Sequence, residues 1–145
     1  GALAVLLAQA KGLPQAVAAV AADSPTLDIP RIARETLEET GESVGALEEM
    51  LLDAAYRLAF GEKLERISEE RFASGGVPTL LFAGTLDEQS PAYVAQDIAA
   101  AMGSRAEVCL IEGATHGMAR YVDPEQYYDA LLTFFREQLE ENEPS

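Results

Sequence analysis

The sequence predicts a three-layer α/β domain, a parallel sheet with helices on both faces. Three observations predict it. A continuous apolar run of strand length, VPTLLFAG (77–84), and a second segment, EVCLIEG (107–113), apolar from Val108 to Ile111, have the pattern of strands buried on both sides. Segments with apolar residues at helical spacing follow each of them. The connections between apolar runs are too long for hairpins, so neighbouring strands run parallel, with helices as the crossovers. A chain of 145 residues, 48% of them apolar, is long enough to bury a core of its own.

Taken in order, GALAVLLAQA (1–10) reads as a helix buried on all sides and closed by Gly12. It resembles the apolar stretch of a signal peptide but has no basic leader, and Lys11, Gly12 and Pro14 interrupt it too early for a membrane span. A cytoplasmic location is expected. QAVAAVAAD (15–23) reads as a buried strand that ends in a turn at Asp23-Ser24-Pro25. Residues 31 to 72 change character. Charged residues alternate there with apolar ones at helical spacing, as in Leu47, Met50, Leu51, Ala54 and Leu58, which predicts a block of amphipathic helices. Its acids, Glu35, Glu38, Glu39, Glu42, Glu48 and Glu49, read as a solvated face, because no calcium-loop spacing appears among them.

The strand within 77–84 comes next. Ser90-Pro91 then supplies an N-cap and a first-turn proline for a helix AYVAQDIAAAM that Gly103 ends. The strand within 107–113 follows, and Asp123-Pro124-Glu125-Gln126 opens the last helix with a cap, a proline and a Gln at the capping-box position. Tyr128, Leu131, Leu132, Phe135 and Leu139 are the expected buried stripe of that helix.

Composition removes several function classes. Ten Lys and Arg stand against 25 Asp and Glu, a formal charge of −15, which opposes binding to nucleic acid or to an anionic membrane. Cys109 is the only cysteine and His116 the only histidine, so an internal disulfide and a Cys/His zinc cage are both excluded. Cys109, set among apolar neighbours, reads as a small buried hydrophobe. No phosphate-binding glycine loop is present, and no metal or organic cofactor is expected.

Two polar residues stand where α/β sheets hold their ligands and catalytic groups, at the carboxyl ends of strands. Asp87 follows the first long apolar run and His116, in IEGATHGMAR (111–120), follows the second. Parallel neighbouring strands would bring the two loops together. A carboxylate on one imidazole nitrogen fixes the tautomer, frees the other nitrogen to take a proton, and stabilises the resulting imidazolium. A lone loop histidine beside a capping aspartate is the plainer reading of the same residues.

GVPTLLFAGTLDEQSP and LIEGATHGM resemble the acid and histidine segments of the α/β-hydrolase superfamily. Residues 1–25 resemble the helix and strand that follow that superfamily's nucleophile elbow. The resemblance implies residues 26–76 as an inserted helical cap or lid covering the pocket, and 77–145 as the C-terminal core. It implies an esterase-like hydrolase of an ester, amide or related bond, with Asp87 orienting His116, which would act as general base and then general acid. The nucleophile elbow itself, a G-x-S-x-G turn between strand and helix, is expected upstream of Gly1, so the isolated chain is expected to be inactive. Its missing N-terminal half, or a second copy through an exposed sheet edge, is the expected partner, together with a small-molecule substrate.

Gly41-Glu42-Ser43-Val44-Gly45 also matches G-x-S-x-G. RIARETLEET before it holds no apolar run that could form the required strand. Gly41 therefore reads as a helix stop and Ser43 as the cap of the next helix. Asp23 and Ser24 stand where they could line the pocket, or form a simple turn. Two alternatives stay open: a noncatalytic hydrolase-like module that binds a small ligand, and an unrelated flavodoxin-like domain, in which Asp87 and His116 would lie far apart.

Overall fold

The computed structural model describes residues 17–26 and 76–140, together with Gly41, Gly45, Glu48, Met50, Leu51, Ala54 and Leu58. The chain divides into two compact units, Gly1–Thr26 with Ser68–Ser145, and Leu27–Ile67. The first unit holds strand β1 (Val20–Asp23), strand β2 (Thr79–Gly84), helix α1 (Ala92–Met102), strand β3 (Ala106–Ile111), the short helix α2 (Ala119–Val122) and helix α3 (Pro124–Glu140). The strands form a parallel sheet in the order β1-β2-β3. Among the described residues no helix is long and apolar enough to cross a membrane.

β2 is the central strand, and all six of its residues are buried. Its side chains alternate between two covered faces, as a strand with helices on both sides requires. Leu80 and Phe82 pack with Phe134 of α3. Leu81 and Ala83 point to the opposite face, which is covered by α1 through Val94, Ala95, Ile98 and Met102. Helices thus lie on both faces. Phe82 is 1% exposed, and its ring stacks on Tyr127 with centroids 4.0 Å apart. Phe82→Ala is expected to cost about 3–5 kcal/mol of stability, read as a lower urea midpoint, because it removes a buried ring that the rigid strand cannot close over.

The strand expected over 15–23 is only four residues long. Val20 donates its N–H to the carbonyl of Pro78, the residue just before β2, and Pro78, having no N–H, returns nothing to continue the ladder. β3 was expected to be buried on both sides. It is instead an outer strand of the described sheet, with Glu107 and Leu110 exposed and only Ile111 fully buried. Cys109 is half-buried and packs against both apolar clusters on the α3 side of the sheet, and burial pushes its thiol pKa up.

Helix ends differ from expectation in informative ways. Gly103 stops α1 at φ 62°, as the sequence indicates. At the other end Pro91, not Ser90, occupies the cap position and makes no side-chain cap. The Ser90 hydroxyl instead donates to the Pro25 carbonyl, a residue distant in sequence. Asp123 caps α3 by accepting the Gln126 N–H at 2.9 Å. The Gln126 side chain does not reach back to complete a capping box; its amide donates to the Leu110 carbonyl at 3.1 Å and ties α3 to β3. The buried stripe of α3 is also rotated. Phe134 is buried, Tyr127, Ala130, Leu131 and Phe135 pack around the core, and Tyr128, Leu132 and Leu139 are exposed.

In the second unit, Gly41 takes φ 81°, a left-handed backbone that glycine adopts without strain. The Gly45 N–H donates to the Glu48 carboxylate, a reach-back bond at a helix start. Ser43 lies outside the described residues, as do Leu47 and the helix expected at the amino terminus. Glu48, Met50, Leu51, Ala54 and Leu58 are helical, and all are exposed.

Candidate active site

Gly84 and Ile111, the last residues of β2 and β3, pair in register, so the two loops that follow leave the sheet side by side. Backbone hydrogen bonds hold them together. Thr85 N–H donates to the Ile111 carbonyl at 3.1 Å and Leu86 N–H to the Ala114 carbonyl at 3.0 Å. Gly113 N–H donates to Thr85 Oγ1 at 2.8 Å. The approach is close enough that a Cβ on Gly84 would press on the Ala114 carbonyl oxygen and stand 2.7 Å from its carbon. A residue with a side chain does not fit there.

Asp87 is fixed from within its own loop. Its Oδ1 accepts the backbone N–H of Gln89 at 3.0 Å and of Ser90 at 2.8 Å, the local bonding typical of an aspartate in a turn. Its side chain is fully buried, yet His116 reaches it: Nδ1 lies 3.1 Å from Oδ1 and 3.0 Å from Oδ2. The two readings of Asp87, turn cap and imidazole partner, are therefore both realised by one carboxyl group. A carboxylate only accepts, so Nδ1 carries the proton and Nε2 is left as an acceptor. The His116 side chain is 39% exposed, and among the described residues Nε2 has no hydrogen-bond partner. A buried, fixed anion behind a solvent-reached imidazole can orient the ring and stabilise its cation when a proton is taken up.

The sequence brought Asp87 and His116 into view, and it offered Asp23 and Ser24 as pocket-lining or turn residues without showing which partners they bond. Ser24, 5% exposed and at φ 50°, accepts the Gly117 N–H on its Oγ at 3.0 Å and donates to Asp23 Oδ1 at 3.2 Å. Next to Asp23 lies the Tyr127 hydroxyl, whose pKa is raised by burial first and then by the Asp23 charge. Pro25, the following residue, accepts from Ser90 in the Asp87 loop. The turn after β1 thus contacts both loops, at Gly117 and at Ser90. Only its D-S-P composition was visible in the sequence, and that signal indicates a turn without naming partners so distant along the chain.

Among the described residues no Ser, Thr or Cys is hydrogen-bonded to the His116 ring. No group of three or more His, Cys, Asp or Glu among them could hold a metal ion. The flavodoxin-like alternative, which requires Asp87 and His116 to lie far apart, is inconsistent with their contact.

No protein-family model matches the chain, and no curated protein matches its sequence. Solved structures do resemble its fold. A Pyrococcus furiosus esterase superposes with a TM-score of 0.66 at 15% identity, over 96% of this chain and 50% of its own length. A Mycobacterium tuberculosis protein described as a non-heme bromoperoxidase gives 0.62 at 15% identity, over 95% of this chain and 64% of its own. Carboxyl esterase 2 of the mycorrhizal fungus Tuber melanosporum gives 0.52 at 20% identity, over 92% of this chain and 48% of its own. The chain thus spans about half to two thirds of each of these structures. With its parallel sheet and its likeness to these esterases, the chain has an α/β-hydrolase-like fold.

Proposed function

We propose that this chain carries the acid and base of a nucleophile-His-Asp triad in a hydrolase that cleaves an ester, amide or related bond by covalent catalysis. The observation that carries the reading is the 3.0 Å contact between His116 Nδ1 and a buried Asp87, made by two loops at the carboxyl ends of adjacent parallel strands. His116 Nε2 takes the proton of the attacking nucleophile and returns it to the leaving group, while Asp87 holds the tautomer and the imidazolium. The nucleophile and its oxyanion-binding amides belong to a strand-to-helix elbow preceding Gly1. On this reading residues 26–76 are the cap, and the outer edge of β1 receives the strands that precede it. A second copy of the chain is the alternative occupant of that edge.

The test is hydrolysis of p-nitrophenyl esters by the chain with and without the segment encoded immediately upstream of Gly1. Turnover is expected only with that segment present, and it is expected to be lost in His116→Ala. Turnover by the isolated chain that depends on His116 would overturn the upstream nucleophile. Turnover indifferent to His116 would overturn the triad. Ligand binding without turnover, in a protein whose upstream segment holds no elbow nucleophile, would instead favour the noncatalytic module.

A further inference from the structure

The turn that ends β1 lies outside the Asp87–His116 pair, yet it is bonded to the loop of each. Ser24 is the unusual member. It is buried, it has a side chain at a φ of 50°, and its one hydroxyl both donates and accepts. A left-handed backbone at a serine is uncommon and is kept only where surrounding contacts hold it. Here the contacts are specific. Ser24 N–H donates to the Phe82 carbonyl at 3.0 Å, which continues the β1–β2 ladder one residue beyond the strand. That bond fixes the Ser24 backbone to the strand that leads into the Asp87 loop. From this position Oγ accepts the Gly117 N–H, the amide that directly follows His116.

Gly117 is itself at φ 66° and begins the turn from His116 into α2. Neither neighbour of His116 is held by regular secondary structure. Among the described residues the Gly117 N–H has no partner but Ser24, and the next backbone bonds of the loop are Met118 N–H to the Thr115 carbonyl at 3.0 Å and Leu86 N–H to the Ala114 carbonyl. Asp23 accepts from the Ser24 hydroxyl and has the Tyr127 hydroxyl beside it, so the donor direction of Oγ–H is taken up and its lone pairs face the Gly117 amide.

We propose that Ser24 is a positioning residue for His116: by accepting the Gly117 amide proton, it holds the loop so that Nδ1 stays on Asp87. The inference rests on the proposed Asp87–His116 pair and adds a third element of the fold to it. Without the hydroxyl the Gly117 amide loses its acceptor, the loop gains freedom on both sides of the ring, and the imidazole no longer keeps a single tautomer. A misplacement of about 1 Å at such a distance from the reacting atoms is enough to slow a reaction by about 100-fold.

The chain has one histidine, so its imidazole gives one unambiguous set of signals in a two-bond proton–nitrogen correlation spectrum. The spectrum is recorded at alkaline pH on wild type, Ser24→Gly, Ser24→Ala and Asp87→Asn. Ser24→Gly removes the hydroxyl while suiting the left-handed backbone, and Ser24→Ala removes it while keeping the Cβ, so the pair separates loss of the bond from backbone strain. The wild type is expected to show the proton on Nδ1, and both Ser24 variants a shift toward a mixture of tautomers with circular dichroism unchanged. If Asp87→Asn changes the tautomer while both folded Ser24 variants match wild type, the role of Ser24 is overturned and the pair stands. If Asp87→Asn also leaves the spectrum unchanged, the pair itself fails.

Discussion

Replacing Gly84 by alanine is expected to separate the two loops and to destabilise the domain. The added Cβ meets backbone, the Ala114 carbonyl group, and not the end of a flexible side chain. Neither side yields easily. Gly84 is the last residue of a fully buried central strand in register with Ile111. The Ala114 carbonyl already accepts from Leu86 N–H, and the Gly113 amide is bonded to Thr85. Overpacking of this kind costs about 1–3 kcal/mol. The upper part of that range is expected here, read as a lower urea midpoint at an unchanged slope. The relaxation that remains open moves the segment of Ala114 away from β2, and His116 is two residues further on. If the proposed triad holds, kcat of the chain joined to the segment upstream of Gly1 is expected to fall by about 100-fold, the consequence of a displacement of about 1 Å between reacting groups. An alanine variant with wild-type stability and turnover would mean that the close approach is not needed.

Asp87→Asn is expected to have the larger effect on the reaction and a small one on the fold. Oδ1 already accepts two backbone N–H groups, from Gln89 and Ser90. An asparagine side chain keeps its oxygen in that position, because the amide nitrogen cannot accept those protons. The NH2 group then stands where Oδ2 was, 3.0 Å from Nδ1, and donates to it. The imidazole proton moves to Nε2, the atom that accepts the nucleophile's proton in the proposed triad. For the equivalent change in a Ser-His-Asp triad the loss in kcat is about 10,000-fold, and a loss of that order is expected here. The turn keeps its two backbone bonds, so thermal unfolding is expected within a few degrees of wild type. A variant that retains most of its activity would show that Asp87 serves only its own turn.

The elements that produce this pair were largely readable from residue order. An unbroken apolar run of strand length between Pro78 and Gly84 admits little other than a central strand, and Gly103 ends the helix after it as anticipated. The convergence of Asp87 and His116 followed from geometry, since adjacent parallel strands deliver their succeeding loops to one edge. The stripe of α3 was read partly right: Leu131 and Phe135 pack against the core as expected, while Tyr128, Leu132 and Leu139 are exposed and Tyr127 and Phe134 take their place. Helical spacing admits either rotation, and the stacking of Tyr127 on Phe82, a tertiary contact, selects the one observed. Gln126 and Ser90 were assigned local capping roles for the same reason. Each has a near partner suggested by sequence and a remote one, Leu110 or Pro25, that it bonds in the fold. Ser24 lay deepest. Nothing in D-S-P distinguishes a turn that only reverses the chain from one that is also bonded to the loop of the histidine.

The pairing of the three strands also sets an order of assembly. β2 and β3 are joined through α1 and one 3-10 turn, Gly103–Arg105, whereas β1 finds β2 only across the whole intervening unit. Closing the shorter loop costs less chain entropy, so β2, α1 and β3 form the natural folding nucleus, and β1 docks late. Asp87 and His116 therefore meet early, on a platform that is still missing one strand, and Ser24 reaches Gly117 when that strand arrives.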